Sequence, residues 1–82
     1  MQAEEIKQLI EAGLPGSWAE VDGDGRHWNA VVVSESFAGK SMLAQHRQVY
    51  GALGDSFDTE AVHALSLRTF TPEQWKADGG GA

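Results

Sequence analysis

Apolar residues recur at helical spacing near the start of the chain. Ile6, Leu9 and Ile10 are interleaved with Glu4, Glu5, Lys7 and Gln8, which predicts a helix over 3–13. Glu4 and Glu5 sit in its first turn, where the helix dipole favours negative charge. Gly13 can end this helix and Pro15 prevents its return. The period then shortens. Trp18–Val21 reads as a short strand and His27–Val33 as a longer one rich in β-branched residues. Between them, Asp22-Gly23-Asp24-Gly25 predicts a hairpin with a loop of about four residues.

A second helix is expected from about Ser41 to Leu53, with Met42, Leu43, His46, Val49, Tyr50 and Leu53 on one side. Gly51–Asp58 breaks and turns, with room for a short helix. Ala61–Phe70 alternates as a third strand, with Leu65 and Leu67 on one face. Thr71-Pro72-Glu73-Gln74 opens a last helix. Thr71 caps it, Pro72 takes its first position and Gln74 completes a capping box, so that Trp75 folds back onto the core. The order α-β-β-α-(α)-β-α places a three-stranded sheet in one layer and helices in the other, an α+β sandwich. Residues 1–78 read as one domain and Gly79–Ala82 as a disordered tail.

Composition narrows the chemistry. The 82 residues suffice for one small domain and exclude enzyme classes that need a large two-domain cleft. There is no cysteine, hence no disulfide, thiolate metal site or redox thiol. Twelve acidic residues against six Lys+Arg give a net charge of −6, which opposes general attraction to nucleic acid or anionic lipid. The longest apolar run, Ala30–Val33, falls far short of the roughly 20 residues that span a bilayer. Met1–Lys7 is polar and acidic, unlike a signal or transit peptide, so the expected location is cytoplasmic.

Three short patterns imitate known sites. Gly39-Lys40-Ser41 resembles the end of a phosphate-binding loop, but the required earlier glycine is Ser34; a turn at Gly39 and a helix cap at Ser41 explain it better. Asp22-Gly23-Asp24-Gly25 resembles the start of a calcium loop, but His27 and Val33 stand where that loop needs glycine and glutamate. Gly51-Ala52-Leu53-Gly54 is a G-x-x-G, as in KH domains, but Asp55 follows it and no Lys or Arg lies within it. Residues 36–54 do contain Lys40 and Arg47 and no acid, which leaves a weak basic patch.

The histidines are the remaining soft-metal ligands. His27 opens the second strand beside Gly25 and Arg26, as an exposed side chain. His46 falls within the apolar face of the second helix, where a hydrogen-bonded core-edge histidine is the simpler reading. His63 begins the third strand in phase with Leu65 and Leu67, at the sheet's rim, where a ring nitrogen can stay free. A three-histidine zinc site is conceivable, but no pair has the helical spacing that would hold a metal rigidly. Neither a nucleophile–base pair nor paired carboxylates stand out. The residues alone describe a small acidic binding domain that is not an enzyme.

Three stretches together carry a resemblance. Phe37-Ala38-Gly39-Lys40-Ser41-Met42-Leu43-Ala44-Gln45-His46-Arg47-Gln48-Val49-Tyr50 resembles the central segment of the BolA family. Val62-His63-Ala64-Leu65-Ser66-Leu67-Arg68-Thr69-Phe70-Thr71-Pro72-Glu73-Gln74-Trp75 resembles its C-terminal signature, and Val21–Trp28 the variable loop and second strand of its short bacterial, IbaG-like branch. The resemblance implies a KH-like (class II) sandwich that lacks the nucleic-acid clamp. It implies a non-enzymatic role in iron–sulfur trafficking or regulation, linked to stress response. The implied partner is a monothiol, CGFS-type glutaredoxin, with which a [2Fe–2S] cluster is shared. Glutaredoxin and glutathione supply sulfur, and this chain supplies His63 as the implied ligand, with His27 as a second candidate and His46 as the alternative to it. Lys40, Arg47 and Arg68 are candidates for pairing with the partner's carboxylates, beside the simpler reading as solvated charge. The other reading is a KH-like DNA- or RNA-binding transcriptional regulator.

Overall fold

The computed structural model describes residues 2–54 and 64–79 of the chain. Helix α1 (Ala3–Gly13) leads through a turn into β1 (Trp18–Gly23) and β2 (Trp28–Val33). A 3₁₀ turn (Glu35–Phe37) then precedes α2 (Met42–Leu53), β3 (Leu65–Phe70) and α3 (Pro72–Ala77). The sheet order is β1-β2-β3, with β1 antiparallel and β3 parallel to β2. This is the expected α+β sandwich. The short helix expected within 51–58 falls largely on residues outside those described, as do Ala61–His63 of the expected third strand and Gly80–Ala82 of the expected tail.

Local chemistry sets most boundaries. Gln2 and Glu5 form a capping box at the start of α1. The Ser41 hydroxyl accepts the Ala44 N–H at the start of α2, after a turn in which Gly39 takes φ +75°. Thr71 and Gln74 cap α3 reciprocally, with Pro72 at its first position. Such caps satisfy the N–H groups a helix leaves unpaired and are worth about 1 kcal/mol each.

The core lies between the helices and one face of the sheet. Ile6 and Ile10 of α1, Ala19, Trp28, Ala30, Val32, Phe37, Val49, Leu53 and Leu65 are buried there. The second helix differs from expectation. Its buried residues are Gln45, Val49 and Leu53, whereas Met42 is 71% and Leu43 61% exposed, and His46 is half-buried at the border. The reason is Gln45. Its amide donates to the carbonyls of Phe37 (3.2 Å) and Lys40 (3.0 Å) and accepts from the Thr69 hydroxyl (2.6 Å). A satisfied amide can be buried where periodicity expects an apolar side chain. At the end of α2, Gly51–Leu53 are helical and Gly54 follows at φ +57°. Gly51–Gly54 is thus a helix terminus and no clamp loop.

Trp75 also departs from the expected core position. It packs on Trp18 and Phe70, with ring centroids 5.6 and 5.1 Å away. Trp18 and Phe70 flank Val33 in one row of the sheet, on the face turned away from α1 and α2. Trp75 therefore covers the outer face and adds a small aromatic cluster separate from the main core.

Candidate functional site

The hairpin displaces the loop expected around His27. β1 continues through Asp22 and Gly23, and Gly23 pairs with Trp28, so the loop is Asp24-Gly25-Arg26-His27. A side chain at Gly23 would collide with the His27 carbonyl and the Trp28 ring, which is why glycine completes this strand. Gly25 takes φ +93°, a left-handed conformation that L-residues rarely adopt. His27 accordingly closes the loop and does not open β2.

Asp24 organises the loop. One carboxylate oxygen accepts the N–H groups of Arg26 and His27, both at 2.8 Å. The His27 amide first, and then that of Arg26, hold the carboxyl below its ordinary range. The side chain is fixed to the backbone while the imidazole of His27 remains exposed. Among the described residues no hydrogen bond engages either ring nitrogen of His27 or His46. A neutral imidazole with a free nitrogen is a competent metal ligand.

The loop borders the start of β3. The Trp28 N–H, one residue after His27, donates to the Ala64 carbonyl at 2.9 Å. Ala64 is the residue that follows His63 in the sequence. His63 itself lies outside the described residues. Among those described, no group of three or more His, Asp or Glu side chains could hold a metal ion.

The basic candidates are dispersed. Lys40 precedes α2, donating to Gln48 at 2.8 Å; its carbonyl is tied through Gln45 to Thr69, near the end of β3 remote from Ala64. Arg47 is exposed on α2. Arg68 is on the outer face of the sheet, over the Phe70 ring at 5.2 Å and 3.5 Å from Asp78. The sheet thus separates Arg68 from Lys40 and Arg47, and one flat partner surface cannot meet all three. His46 lies about 120° around α2 from Ala52, the residue against which Gly13 of α1 packs. Its flank, shared with the exposed Leu43 and the half-buried Tyr50, faces away from α1. Sequence reading singled out neither Asp24 nor Gly23 as a support of His27. The signal was present in the Asp-x-x-His spacing, since an aspartate readily accepts amides two and three residues ahead.

No helix among the described residues is long and apolar enough to cross a membrane. The family model for BolA-like proteins matches residues 11–74. The acid stress protein IbaG of Escherichia coli is 32% identical over 78 residues, 95% of this chain and 93% of that one. The DNA-binding transcriptional regulator BolA of the same organism is 39% identical over 54 residues, 66% of this chain and 50% of its own. A BolA homologue from Coxiella burnetii superposes with a TM-score of 0.82 at 43% identity, covering 93% of this chain and 97% of the other. The names of these relatives are those of regulators and stress proteins, and none is that of an enzyme.

Proposed function

The chain belongs to the BolA-like family, and we propose that within it the chain acts as a non-enzymatic adaptor that shares a [2Fe–2S] cluster with a monothiol glutaredoxin. One observation carries this reading. His27 is exposed on a loop tied down by Asp24, one residue from the Trp28–Ala64 hydrogen bond at which the segment following His63 joins the sheet.

The donor set suits a shared cluster better than a resident one. Iron–sulfur clusters are held chiefly by thiolates, and this chain has none. His63 and His27 would supply nitrogen, and the partner's cysteine and glutathione would supply sulfur. A bound cluster provides one-electron chemistry and labile iron and sulfide. Neutral imidazole in place of thiolate removes negative charge from the site and raises the reduction potential. Because imidazolium cannot bind iron, His63 and His27 would also make ligation pH-sensitive. The exposed Met42 and Leu43, with Arg47 nearby on α2, offer apolar and basic surface for docking.

The test is co-expression with a monothiol glutaredoxin in the presence of iron and glutathione. The expected product is a one-to-one complex whose visible spectrum differs from that of the glutaredoxin homodimer. His63→Ala should abolish that difference and His27→Ala should weaken it. A homodimer-like spectrum unchanged by His63→Ala would reject the reading.

A second reading is favoured by the name of the E. coli relative and by the acid-free stretch 36–54. In it, α2 and its basic residues face nucleic acid. Sequence-specific binding with a steep salt slope near physiological ionic strength would support it. Weak binding that ignores sequence would remove it.

A further inference from the structure

Strand β1 forms one edge of the sheet. Trp28 and Ser34 direct their N–H groups to the β3 side. The alternating residues Asn29, Val31 and Val33 therefore face β1, and their partners Trp18, Glu20 and Asp22 complete that ladder. Ala19, Val21 and Gly23 consequently turn their backbone groups outward, away from the sheet.

At Ala19 both outward groups are occupied by side chains of α1. Glu11 accepts the N–H at 3.0 Å and the Lys7 ammonium donates to the carbonyl at 2.6 Å. Lys7 and Glu11 are themselves ion-paired at 2.7 Å. This pair stands where the backbone of another strand would stand. At Val21 and Gly23 no hydrogen bond among the described residues fills the outward groups. Edge strands left open in this way invite pairing with another chain.

The edge is complementary to itself. With two β1 strands antiparallel and Val21 opposite Val21, Ala19 meets Gly23 at each end, and about six hydrogen bonds form around a two-fold axis. In the same register Glu20 of one strand lies opposite Asp22 of the other, on the exposed face. Like charges placed directly across a strand pair are destabilising. The edge is thus closed twice at neutral pH, by the ion pair over Ala19 and by the facing carboxylates.

We propose that the Lys7–Glu11 pair is a removable plug on β1, and that acidification opens this edge to antiparallel pairing with β1 of a second copy of the chain. The groups that face the Glu11 carboxylate are Lys7 on its own helix and the Ala19 amide on β1. The α2 residue abutting the end of α1 is the uncharged Ala52. Lys7 and the Ala19 amide hold the Glu11 carboxyl below its ordinary value of 4.5, so the opening belongs below that pH.

Light scattering on size-exclusion chromatography, with far-ultraviolet circular dichroism, tests this on the full chain. At neutral pH the chain should run as the 8.8 kDa monomer, and in acid its mass should double with its secondary structure retained. At neutral pH, Lys7→Ala and Glu11→Ala combined with Glu20→Gln and Asp22→Asn should give the same doubling. Adding Val21→Pro, which removes an outward N–H and spares the β1–β2 ladder, should restore the monomer. A folded quadruple variant that stays monomeric would overturn the proposal. So would a dimer indifferent to Val21→Pro, or an open-ended aggregate. If the natural chain unfolds in acid, the neutral-pH variants decide.

Discussion

Replacing Gln45 by alanine removes three hydrogen bonds from the junction of the 3₁₀ turn, α2 and β3. The Phe37 carbonyl keeps the Lys40 N–H at 3.1 Å and is not orphaned. The Lys40 carbonyl and the Thr69 hydroxyl lose the partners they had at 3.0 and 2.6 Å. Each lost bond costs about 1 kcal/mol, and the part-buried groups left unsatisfied add to that, so the expected loss is about 2–4 kcal/mol. A domain of this size is stable by roughly 5–10 kcal/mol, so the effect should be large. With a urea slope of about 1 kcal/mol per molar, the unfolding midpoint should fall by about 2–4 M. Thr69→Val alone should cost about 1 kcal/mol, and the double variant should cost less than the sum. Gln45→Glu is the sharper control. At neutral pH it points a carboxylate at two carbonyls and should cost more than alanine, recovering part of the loss as pH falls and the acid becomes a donor. A Gln45→Ala penalty below about 0.5 kcal/mol, or strict additivity with Thr69→Val, would show that Gln45 does not tie this junction together.

Three other perturbations have defined outcomes. Asp24→Ala should release the Arg26 and His27 amides, raising their hydrogen-exchange rates while those of β2 stay slow; the carboxyl's lowered pKa means that this loop order is present above the ordinary aspartate range and is lost as pH falls through the folded value. Trp75→Ala removes two aromatic contacts on the outer sheet face and should cost about 1–3 kcal/mol, with a changed Trp18 fluorescence and no change in core packing seen by NMR. Lys7→Met should remove the largest cause of the lowered Glu11 pKa; stability that the natural chain holds above the ordinary glutamate range and loses as pH falls through the folded value should then vary less with pH in urea titrations.

What could be read from sequence follows the range of the forces involved. α1, the Ser41 cap and the Thr71–Gln74 box depend on neighbours within a turn, and the structure has them where the residues imply. Hydropathy centres the buried face of α2 too near Met42, because it treats Gln45 as polar and cannot know that Phe37, Lys40 and Thr69 satisfy it. The hairpin lies two residues further on than its glycines suggest. Gly23 serves the strand through close approach to His27 and Trp28, and only Gly25 uses the positive φ expected of a turn glycine. Trp75 went to the other side of the sheet for a similar reason. Its partner Trp18 is distant in sequence and is brought to the same row as Phe70 only once the β1-β2-β3 register exists. The exposure of His27 was legible from Gly25 and Arg26, whereas the separation of Arg68 from Lys40 and Arg47 depends on which face of β3 each residue occupies. His63 was singled out by its phase with Leu65 and Leu67 and by family resemblance, and it lies outside the described residues.

The central claim is that an imidazole of this chain ligates a cluster brought by a partner. It is tested most directly by preparing the complex with a monothiol glutaredoxin from chain labelled with ¹⁵N-histidine, reducing it, and recording the hyperfine spectrum of the cluster. Nitrogen coupling from labelled histidine that disappears in His63→Ala is the expected result. A cluster with sulfur ligation alone, unaffected by the label or by that substitution, would contradict it.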